Sequence, residues 1–239
     1  MTFNRILAIN LADIGDLVTT TPALDALRQS FPAARIDLLT TPHAAPIVDH
    51  TGLVDNVIIS GKFDSLREWR KLSTWRDFGR LLLKLRSGHY DVVFLFRHLT
   101  TRFGTLKHAL LMLATGAPRR IGLDNGRGWF LTDKAEDYGF GGEIVNEIEY
   151  WTGLVVKLGI RLVDFPEDPR PHVGFSQEDE EWAKSQLPPT AQHFGVIHPG
   201  SGGYSLARRW EPEKFAAVAD RLIEDGQTIV LVGGPVDEA

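Results

Sequence analysis

Two short stretches of the 239-residue chain hold residues whose types and spacing suit chemistry. The first is Asp13-Ile14-Gly15-Asp16, just after the apolar run Arg5–Asn10. In an open parallel α/β sheet, ligands bind beyond the carboxyl ends of the strands. A carboxylate at Asp16 stands there, able to take a proton from a hydroxyl group. Gly15 leaves room beside it for a substrate ring. Asp16 equally suits a cap on the following helix. Asp13 competes for either role. The second stretch is His198-Pro199-Gly200-Ser201, running on to Arg208-Arg209-Trp210-Glu211-Pro212. A Gly/Ser loop after a strand exposes backbone N–H groups to a phosphate, and guanidinium groups match phosphate oxygens in pairs. A plain loop and a solvated arginine pair explain the same residues. A base in one place and a phosphate cradle in another suggest group transfer from a phosphorylated donor.

The bulk composition narrows the field. A net charge of −5 argues against a nucleic-acid partner. The chain has no cysteine, so disulfides and thiolate chemistry are excluded. The opening residues do not read as a signal peptide. No apolar run reaches the roughly 20 residues that span a bilayer. The eight histidines show no metal-ligand spacing, so no metal site is expected. Neither a Walker loop nor a Gly-x-Gly-x-x-Gly fingerprint occurs. His198 reads as a structural strand end. Arg67, Arg70, Lys71 and Arg76, interleaved with Trp69 and Trp75, read as a solvated helix face or as a contact for anionic lipid or an acidic glycan.

These residues need a frame. Strands are predicted at Arg5–Asn10, Arg35–Thr40, Asn56–Ile59 and 91–96, the last apolar nearly throughout, as in a sheet covered on both faces. Helices are predicted from Thr21 as N-cap with Pro22 as first helical residue, over 75–87 on an amphipathic repeat, and over 105–115. Strand alternating with helix means a parallel α/β sheet. Residues 164–171 hold three prolines and four charges and read as a linker. The rhythm then restarts: a helix capped at Ser176 with Asp179 at its third position, a strand at 194–198, a helix from Pro212 stopped by Gly226, and a strand at 228–232.

In order along the chain, several segments resemble the bacterial heptosyltransferases, glycosyltransferase family 9. They are Ile6–Ile9 through Gly15-Asp16 to Thr21-Pro22-Ala23-Leu24, Gly116-Ala117-Pro118-Arg119-Arg120-Ile121-Gly122, His198–Ser201, Arg208-Arg209-Trp210 and Val232-Gly233-Gly234-Pro235. The resemblance implies an α/β fold of GT-B type, with two Rossmann-like domains, each on a parallel sheet, facing across a cleft. It implies inverting, metal-independent transfer of a sugar, usually heptose from ADP-heptose, to the lipopolysaccharide inner core. Asp16 matches the family carboxylate proposed as base, with Gly15 and Asp13 on the acceptor side. Gly200 and Ser201 fall in the loop beside the diphosphate, with Arg208 and Arg209 after it. Asp237 falls near an acidic position that reaches the nucleotide ribose. Two positions depart from the family: Arg208 replaces its usual lysine, and Asn146 stands where many members have histidine. The family's later Asp-Thr-Gly…His motif does not occur.

The expected organisation is an N-terminal acceptor-side Rossmann-like domain over 1–165, a linker over 166–175, and the start of a nucleotide-sugar-binding domain over 176–239, incomplete as a domain. The expected partners are a nucleotide-sugar donor and a lipid-linked glycan, with no cofactor, no nucleic acid and peripheral contact with the inner membrane from the cytoplasm. About 100 further residues would complete the second domain, and the chain as given is expected to be inactive alone. Two other readings compete: another GT-B enzyme such as a nucleotide-sugar epimerase, or a non-catalytic sugar-binding remnant.

Overall fold

The structure is a computed structural model that describes residues 2–63, 67–139, 145–160, 170–188, 193–200, 207 and 209–234. The chain divides into two compact units, Met1–Phe175 and Ser176–Ala239.

The first unit holds strands β1 (Arg5–Asn10), β2 (Arg35–Thr40), β3 (Asn56–Ile59), β4 (Val92–Leu95), β5 (Arg119–Asp124) and β6 (Asp133–Glu136). They form one sheet in the order β3-β2-β1-β4-β5-β6, every pair parallel. Its helices are α1 (Ile14–Ser30), α2 (Leu72–Arg86), α3 (Arg102–Thr115) and α4 (Glu147–Val156). Side chains alternate across the sheet. Ile6, Ala8, Ile36, Leu38, Val92 and Phe94 pack with α1 and α4 on one face. Leu7, Ile9, Leu39, Val93 and Leu95 pack with α2 and α3 on the other. Burial on both faces is why β4 reads as a continuous apolar run and β1 as a nearly continuous one. Each fully buried leucine or isoleucine contributes about 1.5–3 kcal/mol.

Helix α1 corrects the expected start at Pro22. It begins at Ile14, with Asp13 as N-cap, and carries Pro22 inside it. Proline lacks the N–H that would bond the carbonyl four residues back. That carbonyl belongs to Val18, and it accepts instead from Thr21 Oγ1 at 2.7 Å. The freed acceptor is thus satisfied from the adjacent side chain, and the helix continues.

The second unit holds α5 (Gln177–Ser185), β7 (Phe194–Ile197), α6 (Pro212–Glu224) and β8 (Thr228–Leu231). Ser176 Oγ and Asp179 close the expected capping box on α5. β7 and β8 pair in parallel. None of the unit's described residues is buried, and Phe194, Val196 and Leu231 are each at least half exposed. A two-stranded sheet with two helices cannot enclose a core.

Candidate functional site

The strand order reverses between β1 and β4, because the chain builds β2 and β3 outward on one side of β1 before returning to its other side. The crevice beyond the carboxyl ends of two such strands is the usual ligand site of an open α/β sheet. Two loops rim it here, residues 11–13 after β1 and residues 96–101 after β4.

Buried Asn10 organises the first loop. Its Nδ2 donates to Thr20 Oγ1 at 2.8 Å and to the Asp16 carbonyl at 3.2 Å, while its Oδ1 accepts from the Ala12 N–H at 3.2 Å. The strand end is thereby fixed to the first turn of α1. Asp16 is the third residue of that helix, and its Oδ2 accepts the Asp13 N–H at 3.2 Å, half of a capping box. The capping reading of Asp16 therefore describes what it does in the folded chain. One backbone contact still leaves the carboxylate about half exposed, with Arg97 Nη1 3.8 Å from Oδ2. Asp13 is mostly exposed and pairs with Lys62 Nζ at 2.5 Å. The Lys62 carbonyl accepts from the buried Lys107 Nζ at 2.6 Å. A side chain added at Gly15 would meet no protein atom within 4 Å, so internal packing does not require glycine there.

The second loop carries residues that sequence reasoning passed over. Arg97 faces Asp16, and His98 bridges two carboxylates. His98 Nδ1 lies 3.0 Å from Oδ1 of Asp137, whose side chain is almost fully buried, and Nε2 lies 3.2 Å from Glu147 Oε1. Both ring nitrogens thus lie within hydrogen-bond reach of a carboxylate oxygen. Asp137 also accepts from Asn125 Nδ2 at 3.3 Å and the Gly139 N–H at 3.1 Å. Tyr150 and Trp151 of α4 pack against the His98 ring, with centroids at 5.0 and 5.3 Å. Glu147 sits in the first turn of α4, which Asn146 caps through the Ile148 N–H at 3.0 Å. A pocket of about 230 Å³ opens beside this network, lined among others by Arg97, His98, Thr100, Phe103 and His108.

Of the residues assigned to the donor side, Ser201, Arg208 and Asp237 lie outside the described residues. Gly200 follows β7 and is partly exposed, as is Arg209. His198 is exposed, with Nδ1 3.2 Å from the Gly200 carbonyl, so it does not serve the core. Trp210 packs edge-on against Phe215 at 5.3 Å and under Lys214 Nζ at 5.8 Å. Among the described residues no group of three His, Asp or Glu side chains is arranged to hold a metal ion, and no helix is long and apolar enough to cross a membrane.

The model of glycosyltransferase family 9 (heptosyltransferase) matches residues 78–239. Lipopolysaccharide heptosyltransferase 3 of Escherichia coli K12 is 27% identical over 236 residues, covering 92% of this chain and 60% of that protein. The crystal structure of a family 9 glycosyl transferase from Veillonella parvula superposes with a TM-score of 0.76 at 20% identity, over 99% of this chain and 64% of that one. The E. coli heptosyltransferase WaaC with ADP-2-deoxy-2-fluoro heptose superposes with a TM-score of 0.70 at 19% identity, over 98% and 70%. The expected GT-B-type α/β fold is therefore present. The chain spans about 60% of the length of the curated relatives it matches.

Proposed function

The chain belongs to glycosyltransferase family 9, the heptosyltransferase family, and on that premise we propose that the whole protein transfers heptose from ADP-heptose to a lipopolysaccharide-core or related glycan. The WaaC structure with an ADP-heptose analogue supports the choice of donor. The observation that carries the reading is the half-exposed Asp16 carboxylate, held at the reversal of the strand order with Arg97 beside it.

In this proposal an acceptor hydroxyl attacks the anomeric carbon of the donor. Its proton passes to Asp16, the new C–O bond forms, and the bond from the anomeric carbon to the phosphate oxygen breaks with inversion. ADP carries away the electron pair. The Asp13 N–H fixes the Asp16 carboxylate, so little reorganisation is needed as the proton moves. Negative charge growing on the diphosphate is met by backbone N–H groups around Gly200 and Ser201 and by Arg208 and Arg209, with Asp237 at the ribose and no metal. Positioned electrostatics of this type are worth several kcal/mol. A reaction that uses a nucleotide-sugar places the protein in the cytoplasm, and a lipid-linked acceptor brings it to the inner membrane.

The test is a transfer assay on the full-length protein with ADP-heptose, a water-soluble core oligosaccharide and a metal chelator. The expected outcome is ADP release matched by addition of one heptose to the acceptor, unchanged by chelation. ADP release without acceptor modification would leave only hydrolysis and end the transferase reading. Loss of transfer on chelation would end the metal-free mechanism.

A further inference from the structure

Helix α3 has a second apolar face with no counterpart in the core. Thr105, His108, Ala109, Met112 and Thr115 are buried on one side. On the other, Leu106, Leu110 and Leu113 are 51%, 42% and 43% exposed. Their spacing of four and three residues places them in one stripe. The outer helices of an α/β layer ordinarily turn a polar face to solvent. The neighbouring helix α2 repeats the exception, with Leu72 84% and Leu83 72% exposed and Trp75 beyond half.

The two helices lie side by side. At their N-terminal ends Trp69 meets Phe103 at 5.9 Å and Trp75 at 4.8 Å. At their C-terminal ends Arg86 Nη1 reaches the Thr115 carbonyl at 3.4 Å, and Gly116, with φ 68°, leaves space that a Cβ would deny to Arg86. Their exposed sides therefore make one surface. That surface is basic. Arg76, Arg80, Lys84 and Arg86 on α2 and Arg102 on α3 are exposed, against one carboxylate, Asp77. The chain as a whole has a net charge of −5, so this excess of positive charge is local to the two helices, with Arg80 and Lys84 on the flank of α2 toward β3.

We propose that the outer face of α2 and α3 is a docking surface for an anionic lipid bilayer. Leucine and tryptophan would enter the headgroup–acyl boundary while the arginines and lysine meet lipid phosphates. A second copy of the chain fits less well, because a two-fold contact sets the same patch against itself and opposes like charges. The placement serves the proposed reaction: α3 starts at the pocket beside His98, so a bilayer here would present a lipid-linked acceptor near the crevice. The inference rests on that reading only for its purpose.

The test is sedimentation of the protein with vesicles of equal parts phosphatidylcholine and phosphatidylglycerol, compared with phosphatidylcholine alone. Expected are binding to the anionic vesicles, weakening at high salt, and a loss of roughly tenfold or more in affinity for Leu106→Gln with Leu110→Gln, and separately for Arg76→Glu with Arg80→Glu. The arginine pair is exposed, so that variant keeps the fold even where the leucine variant does not. No binding to anionic vesicles, or binding unaffected by the arginine variant, would overturn the proposal. So would a leucine variant that dissociates an oligomer, or that unfolds while the arginine variant still binds fully. Transfer to the water-soluble oligosaccharide, read in parallel, is expected to be unchanged in all variants and reports on the site reading alone.

Discussion

Asp16 and Arg97 face each other with Oδ2 and Nη1 3.8 Å apart, one in the first turn of α1 beyond β1 and one in the loop beyond its parallel neighbour β4. The distance is long for a hydrogen bond and both side chains are partly exposed, so the pair adds little to stability. Its consequence is placement. The partly exposed carboxylate stays available to an acceptor hydroxyl in the proposed reaction, with one cation beside it.

Asp16→Asn in the full-length protein is expected to lower turnover by at least ~100-fold, the scale of a lost general base, with little change in melting temperature. Asparagine can still accept the Asp13 N–H, so the cap survives the change. Asp16→Ala removes both functions and is expected to cost about 1 kcal/mol of stability as well. Steady-state kinetics beside thermal melting separate the two roles. Parental turnover in the asparagine variant would leave Asp16 as a cap alone.

Asp137→Asn is expected to destabilise the protein by about 1.5–3 kcal/mol, the range for hydrogen bonds to a charged group. The carboxylate is almost fully buried and accepts from His98, Asn125 and Gly139. Urea unfolding measures this. A change below about 0.5 kcal/mol, the scale of an ordinary surface substitution, would mean the network does not hold the loop after β4.

The alternation of strands and helices was legible because β1, β2 and β4 are buried on both faces and read as mainly apolar runs, β2 interrupted by Asp37, whose buried carboxylate accepts from Arg35 and the Tyr90 hydroxyl. β6 was not: Asp133-Lys134-Ala135-Glu136 carries three charges, and such charges suit a strand at a sheet edge. The start of α1 was misplaced because Pro22 imitates a first helical residue, whereas the Thr21 hydroxyl takes over the bond that proline cannot make. Asp16 stood out through its short spacing from the end of an obvious strand. His98 did not, because its partners Asp137 and Glu147 lie 39 and 49 residues further on. The one local signal was a histidine just past the end of an apolar strand, too common to single out.

Acid is expected to weaken the β5–β6 edge. The Arg119 guanidinium, bonded to Asp133 at 2.5 Å, holds that carboxyl below the usual carboxylate range. Lys134 does the same for Asp124 at 2.9 Å. A carboxyl with a lowered value in the folded state binds fewer protons there than in the unfolded chain. Its contribution is complete above the ordinary value of about 4 and is lost as pH falls through the lowered value. The urea midpoint should therefore drop below about pH 4, and Asp133→Asn should lower it at neutral pH while flattening the acid limb. An acid limb as steep in Asp133→Asn as in the parent would place the titration elsewhere.

Arg208→Ala tests the donor side. The expectation comes from the arginine's place after the Gly/Ser loop, where the family usually carries a lysine. A guanidinium bonded to phosphate oxygens contributes roughly 1.5–3 kcal/mol, about tenfold to a hundredfold in affinity. The loss should fall on ADP and spare adenosine, which lacks the diphosphate. Arg208→Lys, which keeps the charge but gives up the two-pronged geometry, should recover part of it. Calorimetric titration of the full-length protein with both ligands decides the matter. Equal weakening of ADP and adenosine would assign Arg208 to local packing near Trp210, and the diphosphate would then need its cation from Arg209.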